Sequence, residues 1–287
     1  MQKAIVALSC ALFARSGFTL PQPQTDTCPI ETICPAEDTP ADTNSIPELD
    51  FPGLNLTALA EKEFFQRGPF DIINCGGAED IVGGWLAETQ AIAKQAYNNA
   101  ALGTRSRYGF QALFKSQLNV PKVRDVYNKI NTGPAPFNSG PSGNKRPAVV
   151  CVNDNDALPD KLKQACASTP RAMVSTDYPH AVLMCPKIIG LTTFDDARIS
   201  CPTVVSNKLR PNNDWILRVP SAILVEEFAH MYVGLKEIFP EKYKVQDAVD
   251  LSEKDSLDNG PSYALYASGK FACCPQLERL ANRTRKR

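Results

Sequence analysis

Nine cysteines follow the first 16 residues of this chain, and they limit its fold more than any other feature. They are Cys28, Cys34, Cys75, Cys151, Cys166, Cys185, Cys201, Cys273 and Cys274. In an exported chain this number implies a disulfide framework with one thiol left over. Export is what the N-terminus predicts. Lys3 gives a positive start, residues 4–13 an apolar stretch, and Ala14 and Ser16 a small-residue cleavage point after Ser16. That stretch is about half the roughly 20 residues a membrane span needs. Residues 1–16 are therefore read as a signal peptide and the remainder as a soluble, secreted, extracellular protein. Two sequons, at Asn55 and Asn282, fit a glycoprotein.

Composition narrows the function. The chain has 287 residues, 43% of them hydrophobic and 22% charged, enough for an ordinary globular core. Formal net charge is zero, which argues against nucleic acid and against an electrostatically bound membrane surface. The expected counterpart is a protein or peptide, as substrate or target, met by a monomer. Only His180 and His230 are histidines, so no three-imidazole metal site can form, and the absence of C-x-x-C pairs disfavours a zinc ribbon.

Residues 17–54 are rich in proline, threonine and acids and are read as a disordered leader. The domain is expected over 55–276 and a basic tail over 277–287. Helical spacing predicts helices at 78–101, 108–117 and 121–130, the last with proline in its first turn. Residues 131–146 carry the glycine, proline, asparagine and serine of a loop. Short β-type runs follow at 147–152 and 180–185, then helices at 221–235 and from 256 or 258 to 267. The sum is an α+β fold with helices around a small sheet.

One helix carries chemistry. Ile223, Leu224, Phe228, Met231 and Leu235 form its core stripe, while Glu226 and His230, four apart, share a face. Glu227 lies one step round. In an H-E-x-x-H helix two histidines at this spacing hold Zn²⁺ and the glutamate activates water. Here Glu227 matches the base and His230 the second ligand, but Glu226 occupies the first ligand position. In isolation such a string reads as an exposed Glu–His pair on an amphipathic helix.

The context of the helix argues otherwise. Residues 257–267, Leu-Asp-Asn-Gly-Pro-Ser-Tyr-Ala-Leu-Tyr-Ala, resemble the L-N-N-A-D-S-Y-A-L-Y-A ending of the fungal deuterolysin-type (aspzincin) secreted metallopeptidases. Leu251-Ser252 falls at the matching distance before it. The resemblance spans Cys75 to Cys274 in outline and the last fifty residues of that stretch specifically. It implies a zincin-like metallopeptidase fold and pairs Cys75 with Cys151, Cys166 with Cys185, and Cys201 with Cys273 or Cys274. It also implies a third ligand from a G-T-x-D-x-x-Y-G motif, whose tyrosine helps stabilise the tetrahedral intermediate. Tyr243 matches that tyrosine. Counting back from Tyr243 puts the aspartate at Pro240, whereas counting forward from His230 puts it at Glu241. Asp247 and Asp250 are further alternatives after a small shift, and Lys244 replaces the closing glycine.

The candidate site is thus Glu227 and Tyr243 as catalytic residues, with Glu226, His230 and Glu241 as metal ligands. One imidazole with two carboxylates makes bound Zn²⁺ a poorer Lewis acid than two imidazoles would. It also shifts preference toward Mn²⁺, Mg²⁺ or Ca²⁺. Weak zinc binding and reduced or absent proteolysis are expected, with a pseudoenzyme acting as a secreted binding or effector protein as the alternative. His180 could supply an imidazole to the site, but it is read as a strand-entry histidine satisfied by backbone or solvent.

Overall fold

The β-type runs at 147–152 and 180–185 form the centre of a five-stranded mixed sheet. A computed structural model describes residues 53–106, 109–136, 145–153, 156–168, 172–174, 177–191, 204–205, 208–209, 219–234 and 241–271. All of them belong to one unit, residues 32–287. The expected signal peptide, the leader to residue 52 and the basic tail lie outside them, as do Cys28, Cys34, Cys201, Cys273, Cys274 and Asn282. Asn55 is exposed and caps the helix α1 (Leu56–Lys62), its side-chain oxygen accepting from the N–H of Ala58 at 3.0 Å.

The strands are β1 (Phe64–Arg67), β2 (Phe70–Ile73), β3 (Ala148–Cys151), β4 (Ala172–Val174) and β5 (Ala181–Met184). Their order across the sheet is β1-β2-β3-β5-β4, with β2, β3 and β5 parallel and both edges antiparallel. A small hairpin of β6 (Val204–Val205) and β7 (Lys208–Leu209) stands apart from the sheet. Alternate residues serve opposite faces. Phe70, Ile72, Val149, Cys151, Val182 and Met184 join the larger core, whereas Ile73, Ala148, Val150, Ala181 and Leu183 join a second one. Both faces are covered, which is why β3 and β5 read as unbroken apolar runs.

Helices α2 (Glu79–Ala100), α4 (Val120–Thr132), α6 (Pro220–Val233) and α9 (Gly260–Phe271) build the larger core. The second face is covered by α1 and by α5 (Asp160–Ser168). The remaining helices are α3 (Phe110–Phe114), α7 (Val245–Asp250) and α8 (Glu253–Asp258). Helix α4 runs two residues past its expected end and stops at Gly133, whose φ of 58° is a conformation that glycine adopts without strain. The helix expected from 256 or 258 is two helices. Ser252 caps α8, Asn259 is extended, and α9 starts at Gly260 with Pro261 in its first turn, where a missing N–H costs nothing.

The Tyr-Ala-Leu-Tyr-Ala run of α9 is entirely buried. Tyr263 and Tyr266 pack among Phe110, Phe114 and Tyr127 with ring centroids 5.0–6.1 Å apart. Each such pair contributes about 0.5–1.5 kcal/mol beyond burial alone. Their polar ends are matched as well. The Tyr266 hydroxyl donates to Asn99 at 2.7 Å, the Tyr263 hydroxyl to the Leu257 carbonyl at 3.1 Å, and the Tyr127 hydroxyl to the Tyr263 carbonyl at 2.8 Å.

Two disulfides tie these layers. Cys75–Cys151 joins the chain just past β2 to the end of β3, and Cys166–Cys185 joins α5 to the end of β5. Both are the pairs that the resemblance implies. Among the described residues, no helix is long and apolar enough to cross a membrane.

Candidate metal centre

Helix α6 is buried on every side from Pro220 to Met231. A helix in that position normally carries apolar residues all round. This one carries Glu226, Glu227 and His230, each under 8% exposed. The exposed Glu–His pair of an amphipathic helix is therefore not what forms. The apolar positions hold α6 in place from several directions: Phe228 stacks on Phe70 of β2 at 4.8 Å, and Thr89 of α2 donates to the Ser221 carbonyl at 3.2 Å. Gly234 ends the helix with φ at 96°, its N–H bonded to the His230 carbonyl.

A second segment completes the group. Glu241, four residues before α7, meets His230 with Oε1 2.7 Å from Nε2. One donor atom each from Glu226, His230 and Glu241 lies within 4.8 Å of the others. The Tyr243 hydroxyl donates to Glu241. Of the alternatives for the third ligand, Glu241 is the one the fold brings in. Asp247 and Asp250 are exposed on α7, and Asp250 accepts from Gln246 at 2.9 Å. Pro240 lies outside the described residues.

The electrostatics follow from burial. Loss of water disfavours a charged His230, but the contact with Glu241 and the charges of Glu227 and Glu226 outweigh it and raise the imidazole to about 10. Burial and the same three carboxylates raise Tyr243 well above the usual phenol range, so it stays an O–H donor. Three carboxyl groups thus gather around one imidazole in a site with little access to water, where charge is costly. A divalent cation would displace the imidazole proton and offset two of the three negative charges, and two carboxylates with a neutral imidazole are a donor set that suits such an ion.

Gly260 contributes through what it lacks. A Cβ built there would stand 2.3 Å from Nε2 of His230. Reading the sequence for side-chain chemistry passes over this residue; the glycine-proline step at the start of α9 is its only trace. Gly260→Ala is expected to push the imidazole off Glu241 and lower divalent-ion affinity roughly 10–100-fold. The crowding should cost about 1–3 kcal/mol of stability. Isothermal titration and a denaturant melt read the two effects separately.

His180 does not join the group. It is buried at the turn into β5, edge-on to Tyr178 at 6.4 Å, and its Nδ1 has no hydrogen-bond partner among the described residues. The expected backbone partner for that nitrogen is not found among the described residues. Burial, with Lys145 adding, pushes its imidazole down to about 4. Between pH 6.5 and 4 the unfolded chain takes up a proton that the folded one refuses. The stability this group supplies above pH 6.5 is thus lost as pH falls through 4. Melting midpoints measured from pH 7 to 4 should fall less steeply in His180→Gln than in the natural protein.

Comparison with protein-family models gives no match for this sequence, and comparison with curated proteins gives none.

Proposed function

We propose that this chain is a secreted metal-dependent endopeptidase of the deuterolysin kind on a zincin-like fold, with Glu226, His230 and Glu241 as ligands. The observation that carries the reading is the buried group itself, in which three carboxylates converge on one imidazole. Zn²⁺, or a harder ion such as Mn²⁺, would supply Lewis acidity toward a substrate carbonyl and ease ionisation of water. Glu227, beside Glu226 on α6, takes the proton released by the attacking water and returns it to the leaving amine. Tyr243, held protonated by its surroundings, would turn its O–H from Glu241 to the charge that develops on the carbonyl oxygen.

A specific observation favours a second reading. A carboxylate at Glu226 weakens the Lewis acidity of any bound ion, and the four side chains are nearly closed off from solvent. Both fit a retired peptidase fold that binds a protein target. The test strips the purified protein of metal, reloads it with Zn²⁺ or Mn²⁺, and measures bound ion by mass spectrometry and cleavage of casein. One weakly held ion per chain with slow, chelator-sensitive cleavage is the expected result. Binding without cleavage selects the retired fold, and no binding sinks the metal site. In the first two cases Glu226→His should raise zinc affinity.

A further inference from the structure

The contact between His230 and Glu241 has to be set by something other than the two residues, since eleven positions and the end of α6 separate them. The described residues closest to Glu241 in sequence show what sets it. Lys242, directly between Glu241 and Tyr243, gives its backbone N–H to the side-chain oxygen of Asn259 at 3.1 Å. The other end of that amide donates to the Ser262 hydroxyl at 2.8 Å. The Ser262 N–H in turn donates to the Asn259 carbonyl at 3.0 Å. Asn259 and Ser262 are both fully buried. The amide therefore has one orientation, with its oxygen toward Lys242 and its nitrogen toward the first turn of α9.

The neighbouring residue works on the other half of the pair. Gly260 lies against Nε2 of His230. The two consecutive residues at the entry to α9 thus touch both members: Asn259 holds the segment that bears Glu241, and Gly260 leaves room for the imidazole. We propose that Asn259 is a positioning residue that fixes Glu241 as a metal ligand by clamping the Lys242 backbone. The proposal rests on the reading of Glu226, His230 and Glu241 as a cation site.

Physical chemistry gives the clamp its leverage. A backbone N–H shielded from water without a partner is costly, so the Asn259 side-chain oxygen holds the Lys242 N–H in place. Holding the Glu241–Lys242 peptide limits where the Glu241 side chain can start, and Tyr243 donates to its carboxylate from the other side of Lys242. Without Asn259 the segment is free to shift, and a carboxylate displaced by even an ångström is a weaker ligand. Groups that orient ligands in this way typically change metal affinity roughly 10–100-fold when removed.

The experiment titrates metal-free, full-length protein with Mn²⁺ and with Zn²⁺ by calorimetry and records a thermal melt of each metal-free variant. Asn259→Ala is expected to lose roughly 10–100-fold in affinity. The discriminating case is Glu241→Gln. Combined with Asn259→Ala it should bind no more weakly than Glu241→Gln alone, since a clamp acting through Glu241 has nothing left to position. Additive losses in the double variant would mean that Asn259 acts only through general stability and would overturn the proposal. So would natural affinity in Asn259→Ala. If that variant does not fold, Ser262→Ala, which frees the amide to turn, is measured in its place against the same two outcomes. Absence of binding in the natural protein sinks the cation site and the clamp with it. Binding there together with an indifferent Asn259 sinks the clamp alone.

Discussion

Glu227→Gln should lower casein cleavage by roughly 10²–10⁴-fold, the range that loss of a general base produces, with bound metal still at one ion per chain. Glutamine has the shape of glutamate but cannot hold the proton that peptide hydrolysis must move. The second half of the expectation separates function from folding. Glu227 is one of three carboxylates buried around His230. Because glutamine keeps the size of the side chain, the metal-free variant should melt close to the natural protein. Activity lost while stability holds or rises is the pattern of a residue kept for chemistry. A variant that cleaves casein at the natural rate would remove Glu227 from the mechanism. A variant that melts well below the natural protein would assign it a structural role.

The largest expected effect on stability lies at the sheet. Replacing both Cys75 and Cys151 with alanine should cost about 4 kcal/mol, because that bond closes a loop across a separation of 76 residues. The Cys166–Cys185 bond spans 19 residues, and its removal should cost about 3 kcal/mol. The order matters more than either value. Loop-closure entropy ranks the long bond first, and it joins strands β2 and β3, through which the covered sheet is assembled. Denaturant midpoints of the two paired variants give the comparison directly. A larger loss from the 166–185 pair would mean that native packing around α5, rather than chain entropy, dominates.

How far the sequence reveals this molecule depends on where its residues end up. Strands β3 and β5 were legible because burial on both faces leaves them uniformly apolar. Strand β1 was not: all four residues are exposed, Phe64 and Phe65 among them, so no alternation marks it. Helix α5 carries too few apolar residues between polar ones to stand out. At the site, the spacing of Glu226 and His230 gave their shared face, and counting forward from His230 reached Glu241. Their burial was not legible, because charged residues ordinarily lie in water and only the packing around α6 overrides that. Asn259 and Gly260 were legible least. Their roles are a backbone hydrogen bond and an absent side chain, and neither is visible until residues 230, 242 and 260 are seen together.

The long disulfide also has a consequence in time. A ribosome adding roughly 5–20 residues per second releases Cys75 about 4–15 seconds before its partner. For a chain exported into an oxidising compartment, as proposed, Cys75 is through that interval a thiol without its native mate, and Cys28 and Cys34 have already emerged ahead of it. Cys166 waits only about 1–4 seconds for Cys185 at the same pace. The two bonds therefore face different hazards. The short one can close almost as soon as it is made, whereas the long one depends on thiol exchange to undo early wrong pairings. Yield of the correctly bonded protein should accordingly be set by the isomerase capacity of the producing cell.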